Sequence, residues 1–256
     1  MLGPHERELY QREGWLVPEF RFGEADILEM RRLAEELVGR KPQYADFCPA
    51  LLVEDLAWLR FATDPRLLDV IEGVIGPDFL LWGSGYFGKP AGKGKATPWH
   101  QDGEYWPIRP LATCTVWISL DHATAENGCL RIVPGSHREQ RLFQHKRNND
   151  TRLTLNQEID DAAWDPSRAV DVVLSPGQVS LHDVYAVHGS AENLSGRPRR
   201  GVTFRYMPTT SLFDRALAER QHASHGIADI SRRPLHLVRG IDRHGGNDFN
   251  TGHRTN

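Results

Sequence analysis

The sequence has 256 residues, with 31 lysines and arginines against 34 aspartates and glutamates, and a net charge of −3. This balance argues against a nucleic-acid-binding protein, and the lack of any stretch approaching about 18 apolar residues argues against a membrane partner. The cysteines are odd in number and well separated, which suits neither a disulfide framework nor a zinc clamp: Cys48, Cys114 and Cys129. Since the charged N-terminus lacks the apolar core of a signal peptide, we expect a cytoplasmic enzyme, monomeric or homodimeric, with a small-molecule substrate.

The whole chain is expected to form a single domain, in which residues 1–78 are a helical buttress packed against a sheet. The clearest helix has Asp64 as its N-cap, Pro65 at its first position and Gly76 at its end. Apolar residues recur on one side of a second helix, predicted over residues 24–38. Nothing in these helices indicates chemistry.

From Phe79 the pattern changes to short segments rich in β-branched and aromatic residues, separated by glycine, proline and asparagine. These segments predict strands at residues 79–87, 112–120, 129–133, 170–174, 178–182 and 200–207. Many short strands without long helices between them favour a double-sheet barrel or jelly roll over a βαβ fold, and we place this core at residues 79–207. Alternation along the last strand puts Arg199 and Arg205 on the same face.

Two polar segments interrupt the core, and an extension follows it. Residues 88–97 (GKPAGKGKAT) lack the serine or threonine that follows the Gly-Lys pair of a phosphate-binding loop, so we expect a mobile hairpin. Residues 143–168 are either a lid over the active site or a solvated insertion, and the sequence leaves both open. Residues 208–256 form an extension with a short helix, and we expect its last dozen residues to be frayed.

Residues 97–107 (TPWHQDGEYWP) contain the one His-x-Asp motif of the sequence, at His100 and Asp102. In an extended strand, residues two apart point to the same face, so an imidazole nitrogen and a carboxylate oxygen are offered together. A second histidine completes the 2-His-1-carboxylate set that leaves positions open on Fe(II) for oxygen chemistry. The aromatic residues that can wall a pocket around this pair are Trp99, Tyr105 and Trp106.

The second histidine has two candidates. His188 ends a strand-like run, and Arg199 follows it at the start of the last predicted strand. His182 is the rival, but a histidine inside a strand is more often a core or supporting group. His137 lies in a turn, and we expect it not to be a ligand.

Three motifs resemble, in order, those of the phytanoyl-CoA dioxygenase family of Fe(II)/2-oxoglutarate oxygenases. They are TPWHQDGEYWPIRP at residues 97–110, NGCLRIVPGSH at residues 127–137 and HGSAENLSGRPR at residues 188–199. The resemblance covers residues 79–207 and implies a mainly β fold, a double-stranded β-helix (jelly-roll, cupin-like) core with helices against it.

The resemblance also implies a role for individual residues. It implies that the iron ligands and catalytic centre are His100, Asp102 and His188. It assigns the 2-oxoglutarate site to Arg199, Ser190 and Trp117, and the planar guanidinium suits a carboxylate held through two hydrogen bonds. The residues that we expect to face the substrate are Trp106, Tyr105 and Arg205.

The implied activity is hydroxylation of an unactivated C–H bond in a small organic substrate, using Fe(II), 2-oxoglutarate and O2 and releasing succinate and CO2. Two alternatives stay open: a metal oxygenase of similar barrel that needs no 2-oxoglutarate, and a non-catalytic barrel that binds a small molecule. The sequence has no run of basic residues built for a coenzyme A diphosphate, so the family's namesake substrate is not inferred.

Overall fold

A computed structural model describes residues 1–160, 164–225 and 228–253 of the chain. Its helices are α1 (Pro4–Glu13), α2 (Glu24–Arg40), α3 (Leu51–Glu54), α4 (Leu59–Ala62), α5 (Pro65–Ile75) and α6 (Arg215–His225). The strands of the first half are β1 (Trp15–Leu16), β2 (Phe47–Cys48), β3 (Phe79–Lys89), β4 (Thr97–His100), β5 (Ile108–Arg109), β6 (Cys114–Ser119) and β7 (Leu130–Ile132). The later strands are β8 (His145–Arg147), β9 (Gln157–Ile159), β10 (Val170–Val172), β11 (Val179–Asp183), β12 (His188–Ser190), β13 (Arg199–Pro208), β14 (Leu212–Phe213) and β15 (His236–Arg239). Within these ranges no helix has both the length and the apolar character needed to cross a membrane.

Two antiparallel sheets form the jelly-roll core that the sequence predicts. The larger has seven strands, in the order β1-β11-β6-β13-β3-β15 with β2 paired to β3. The smaller has four, in the order β10-β7-β12-β4. Every segment predicted as a strand contains one, so the mainly β fold is confirmed.

The N-terminal helices follow the predicted capping signals. Asp64 caps α5 by accepting a hydrogen bond from the backbone N–H of Arg66, and Gly76 ends the helix with a φ of 85°. Helix α2 runs beyond the predicted residue 38 to Arg40. A glycine ends a helix mainly by adopting positive φ, and Gly39 does not do so.

The larger sheet separates an apolar face from a polar one by simple alternation along β13. Val202, Phe204 and Tyr206 pack into one cluster with the N-terminal helices. Thr203 and Arg205 point the other way and line a cavity between the two sheets. The expectation that Arg199 and Arg205 share a face is confirmed, since Arg199 lines the same cavity.

The segment at residues 88–97 is not a hairpin. Strand β3 continues to Lys89 and pairs with β13, whereas β4 starts at Thr97 and pairs with β12 in the other sheet. The segment therefore crosses from one sheet to the other, and Lys89 is only 2% exposed despite its polar sequence context. The polarity of residues 88–97 did not predict the crossing or the burial of Lys89, because each strand joins a sheet by pairing with residues distant in sequence.

The C-terminal extension packs on the core. Strand β15 pairs with β3 at the edge of the larger sheet. Helix α6 follows the short strand β14 after one intervening residue. Asn247 is buried, and its side chain accepts a hydrogen bond from Phe213 N–H and donates one to the Ser211 carbonyl. The far end of the predicted frayed tail, residues 254–256, lies outside the described residues.

Candidate metal centre

His100 and His188 are direct partners across the smaller sheet, on β4 and β12. The Nδ1 of His100 lies 2.8 Å from the Pro98 carbonyl oxygen, and the Nδ1 of His188 lies 2.9 Å from that of Ala186. A carbonyl oxygen only accepts, so each Nδ1 carries the proton and each Nε2 keeps its lone pair. Both imidazoles are thereby oriented to coordinate a metal through Nε2.

Asp102 joins the two histidines from the start of a 3₁₀ turn, Asp102–Tyr105. Gln101 before it keeps extended dihedrals (φ −117°, ψ 134°), so the alternation of the strand carries the Asp102 side chain to the face of His100. One oxygen, Oδ1, lies 3.7 Å from His100 Nε2. The ligand atoms of His100, Asp102 and His188 all lie within 4.8 Å of one another.

The other oxygen of Asp102 is held by the larger sheet. Thr115 donates a hydrogen bond to Oδ2 over 3.2 Å, and His182 Nε2 lies 3.4 Å from the same oxygen. Thr115, on β6, is the Cα partner of both His182 and Arg205, so these side chains form one row on the inner face of the sheet. His182, the rival ligand, supports the carboxylate from outside the triad.

The electrostatics keep the three groups in the forms that bind metal. Burial lowers the pKa of His100 and lowers that of His188 further, so both imidazoles stay neutral near pH 7. Burial alone raises the pKa of Asp102, but the contact with His182 and the electrostatic influence of His188 and Arg205 outweigh it, and this pKa lies well below its ordinary value. Two neutral imidazoles and one carboxylate on one side of an open cavity suit Fe(II) with free coordination positions.

Arg199 lies in the same cavity without an acidic partner. It is 3% exposed, and its Nε and Nη2 donate to the Gly128 carbonyl over 3.0 and 2.8 Å. Burial lowers the pKa of Arg199 to about 10, and no ion pair involves it in the described ranges. The Trp117 ring lies 5.3 Å below its guanidinium, and Gly201 makes room for that ring, since a Cβ there would lie 2.2 Å from it. Ser190 also lines the cavity.

The cavity has a volume of about 570 Å³ and opens beside the three candidate ligands. Tyr105, Trp106 and Arg205 line it, as the substrate prediction requires. Trp99 does not, because its ring packs on Trp164, with centroids 5.1 Å apart. His137 lies away from the cavity, with Nε2 3.0 Å from the Gln11 carbonyl.

Sequence reasoning missed residues that shape the site from a distance. Gln101, in the middle of the His-x-Asp motif, donates to the Arg141 and Tyr185 carbonyls and accepts from Phe143 N–H. Its backbone N–H donates to His145. Alternation is the signal that could have found it, because the residue between two ligands must point away from the metal.

Two further parts of the cavity wall come from segments whose role the sequence left open. Residues 148–151 and 153–157, inside the predicted lid, line the cavity. Arg233, in the C-terminal extension, lines it as well. No local pattern marks Arg233, since it lies outside the strands and helices.

Comparison with known proteins identifies the family. The sequence profile described as phytanoyl-CoA dioxygenase (PhyH) matches residues 10–201. Human peroxisomal phytanoyl-CoA dioxygenase is 25% identical over 225 residues, which cover 77% of this chain and 66% of the human protein. The alignment thus spans just under two thirds of that relative's length.

Solved structures show the same fold. The apo form of ThoJ, described as a non-heme monooxygenase, superposes with a TM-score of 0.72 at 24% identity, covering 92% of this chain and 84% of ThoJ. EvdO2 from Micromonospora carbonacea var. aurantiaca, complexed with 2-oxoglutarate, superposes with a TM-score of 0.66 at 24% identity, covering 81% of this chain and 91% of EvdO2. Since the family profile matches well over half of its length, the chain belongs to the phytanoyl-CoA dioxygenase family.

Proposed function

We propose that this enzyme hydroxylates an unactivated C–H bond of a small organic substrate, with release of succinate and CO2. In this proposal His100 Nε2, Asp102 Oδ1 and His188 Nε2 hold the iron. The observation that supports it best is the convergence of one ligand atom from each of these three residues within 4.8 Å, with both histidine tautomers set by backbone carbonyls. The bound iron supplies the activation of O2, coupled to oxidative decarboxylation of 2-oxoglutarate, in which one oxygen atom enters succinate and the other the substrate.

Arg199 is the residue that we assign to the distal carboxylate of 2-oxoglutarate. Its guanidinium is buried and stacked on Trp117, and among the described residues its hydrogen bonds go to a neutral carbonyl, so its charge calls for an anion. The fork of parallel N–H groups matches a carboxylate in geometry as well as in charge. Ser190, 8% exposed on β12, offers a hydroxyl to the same cavity.

The remaining residues position the substrate and keep water out. Tyr105 and Trp106 follow directly on the metal motif, so a substrate resting on them lies beside the iron site. Arg205 stacks on Trp106, with its guanidinium 5.4 Å from the ring centre. A substrate packed against the aromatic part of the cavity wall keeps the oxidation on itself and away from solvent.

The test is succinate release from 2-oxoglutarate by Fe(II)-loaded protein, compared between wild type, Arg199→Gln and Arg200→Gln. Removing charge-assisted hydrogen bonds of about 1.5–3 kcal/mol should raise the apparent KM for 2-oxoglutarate at least about tenfold in Arg199→Gln. Arg200 is the matched control, because it points the other way and pairs with Asp121 and Glu35. Equal KM values in Arg199→Gln and wild type would exclude this cosubstrate site.

A further inference from the structure

Two guanidiniums line the cavity far from the assigned 2-oxoglutarate site. Arg205 lies six residues along β13 from Arg199, so their Cα atoms are about 20 Å apart at a rise of about 3.3 Å per residue. It pairs with Gly83 on β3, whereas Arg199 pairs with Lys89 at the other end of the same strand. Arg233 reaches the cavity from the C-terminal extension and lies close to Arg205.

Neither guanidinium has an acidic partner in the parts of the chain that the structure describes. Arg205 is 8% exposed, and its buried Nε has no hydrogen-bond acceptor. Arg233 donates through Nη2 to the Pro49 carbonyl over 2.8 Å. Burial and the neighbouring charge of Arg205 lower the pKa of Arg233 to about 9. Two like charges held together in a protein wall are unfavourable unless an anion joins them.

Both side chains pack against glycines of β3. A Cβ on Gly83 would lie 3.3 Å from Arg233 Nη1 and 3.4 Å from Arg205 Cδ, and a Cβ on Gly85 would lie 3.5 Å from Arg205 Nη1. The pairing of β13 with β3 also shifts between Arg205 and Tyr206, which leaves Trp82 as an extra residue in the ladder. Trp82 and Trp106 pack edge to face, with centroids 4.5 Å apart, under Arg233 and Arg205 respectively.

The formal charges of the site point the same way. With Fe(II) and 2-oxoglutarate bound, the charges of the metal, Asp102, the cosubstrate dianion and Arg199 cancel. Arg205 and Arg233 then remain uncompensated beside the open part of the cavity. The Trp106 ring, which lies against Arg205 and lines the cavity, gives that part an aromatic wall.

We propose that Arg205 and Arg233 bind an oxyanionic group of the substrate, a carboxylate or a phosphoryl group, and that an apolar body of the same molecule lies on the aromatic wall. This inference rests on the proposed function and names the substrate class for that site. Arg205 and Arg233 are positioned to anchor the molecule by its anion, while its C–H bond faces the metal centre.

The experiment is calorimetric titration of the anaerobic protein, loaded with Fe(II) and 2-oxoglutarate, with three probes of one shape. Phenylacetate and phenyl phosphate carry the two anions, and phenylacetamide is the neutral analogue. We expect at least one anion to bind at least about tenfold more tightly than the amide, and Arg205→Gln and Arg233→Gln each to weaken that binding at least about tenfold. The tighter anion identifies the group as carboxylate or phosphoryl.

Arg220→Gln, which removes an exposed arginine from α6 in the same extension, should bind the anion as wild type does. Arg205→Lys and Arg233→Lys keep the charge and should bind the anion with an affinity within a few-fold of wild type. These two variants replace a glutamine variant that does not fold. Equal binding of the amide and both anions, or unchanged anion binding in both glutamine variants, would overturn the inference. Titration of 2-oxoglutarate into Fe(II)-loaded protein separates the two proposals. The affinity for 2-oxoglutarate should be retained in Arg205→Gln and Arg233→Gln and weakened only in Arg199→Gln.

Discussion

His188 lies directly opposite His100 across the β12–β4 pair, and their ring centroids are 4.2 Å apart. The two residues are distant in sequence, so the pairing of two strands in the smaller sheet sets the spacing of the two imidazoles. Asp102 reaches the same point two residues after His100 and is held from the facing sheet by Thr115. The candidate metal centre is therefore a place where both sheets of the jelly roll meet.

Asp102→Ala should abolish iron binding, because it removes the one carboxylate of the triad. We expect metal analysis after Fe(II) loading and desalting to show iron near one per chain in the wild type and at least about tenfold less in the variant. His137→Ala is the control, since His137 bonds the Gln11 carbonyl away from the cavity. Iron retained by Asp102→Ala would refute the triad.

Thr115→Val tests whether the support of Asp102 matters for metal affinity. The substitution keeps the shape but removes the hydrogen bond to Oδ2, and partners of metal ligands are typically worth about 10–100-fold in affinity. We expect at least about a tenfold rise in the Kd for Fe(II), measured by competition with a chelator under anaerobic conditions. Thr113→Val is matched to it, because the Thr113 hydroxyl is buried without a partner, and its Kd should equal that of wild type.

Lys89 should make the protein more stable as pH rises. Burial and the nearby charge of Arg199 lower the pKa of Lys89 from 10.5 to about 6. Between these values the unfolded chain binds a proton that the folded chain does not, so the free energy of unfolding increases with pH, by at most about 1.4 kcal/mol per pH unit. This contribution is complete above the unfolded pKa and is lost as pH falls toward about 6.

The measurement is urea unfolding of wild type and Lys89→Met at several pH values between 6.5 and 8.5, a range chosen inside this window. The variant should be more stable than wild type at pH 7, and the difference should shrink as pH rises. Lys93→Met, at an exposed position of the same segment, should keep the wild-type slope. A wild-type slope in Lys89→Met would show that Lys89 does not cause it.

Residues 148–157 should become protected from amide exchange when the active site is filled. Nearly all of them line the cavity, and Thr154 N–H donates to the Ala96 carbonyl, which joins this segment to residues 88–97. Gln101 accepts a hydrogen bond from the backbone N–H of Phe143, which holds the start of the polar segment at residues 143–168. We therefore expect slower exchange over residues 148–157 after loading with Fe(II) and 2-oxoglutarate, and slower still with substrate. Unchanged amide exchange with all ligands bound would identify this segment as a solvated insertion. Residues 161–163 of the predicted lid lie outside the described residues.

Much of the fold and site followed from local patterns. The cap at Asp64 and the alternation of β13 each depend on neighbours within a few residues, so periodicity and capping rules predicted them. The spacing of His100 and Asp102 predicted a shared face for the same reason. The sequence favoured His188 over His182 because His188 ends a strand-like run and Arg199 follows it, and the structure brings both histidines near Asp102 but only His188 into the triad.

The sequence by itself thus determined the type of fold, the three candidate ligands and the arginine that we propose for the cosubstrate. Only the tertiary structure decided that residues 88–97 cross between the sheets, that Gln101 anchors the segment over the cavity, and that Arg233 joins Arg205. These relationships depend on which strands pair and on where an extension packs, and both are set by contacts between residues far apart in the chain. The hydrophobic periodicity of a segment cannot predict these relationships, because it shows which of its faces is buried but not which other segment packs against it.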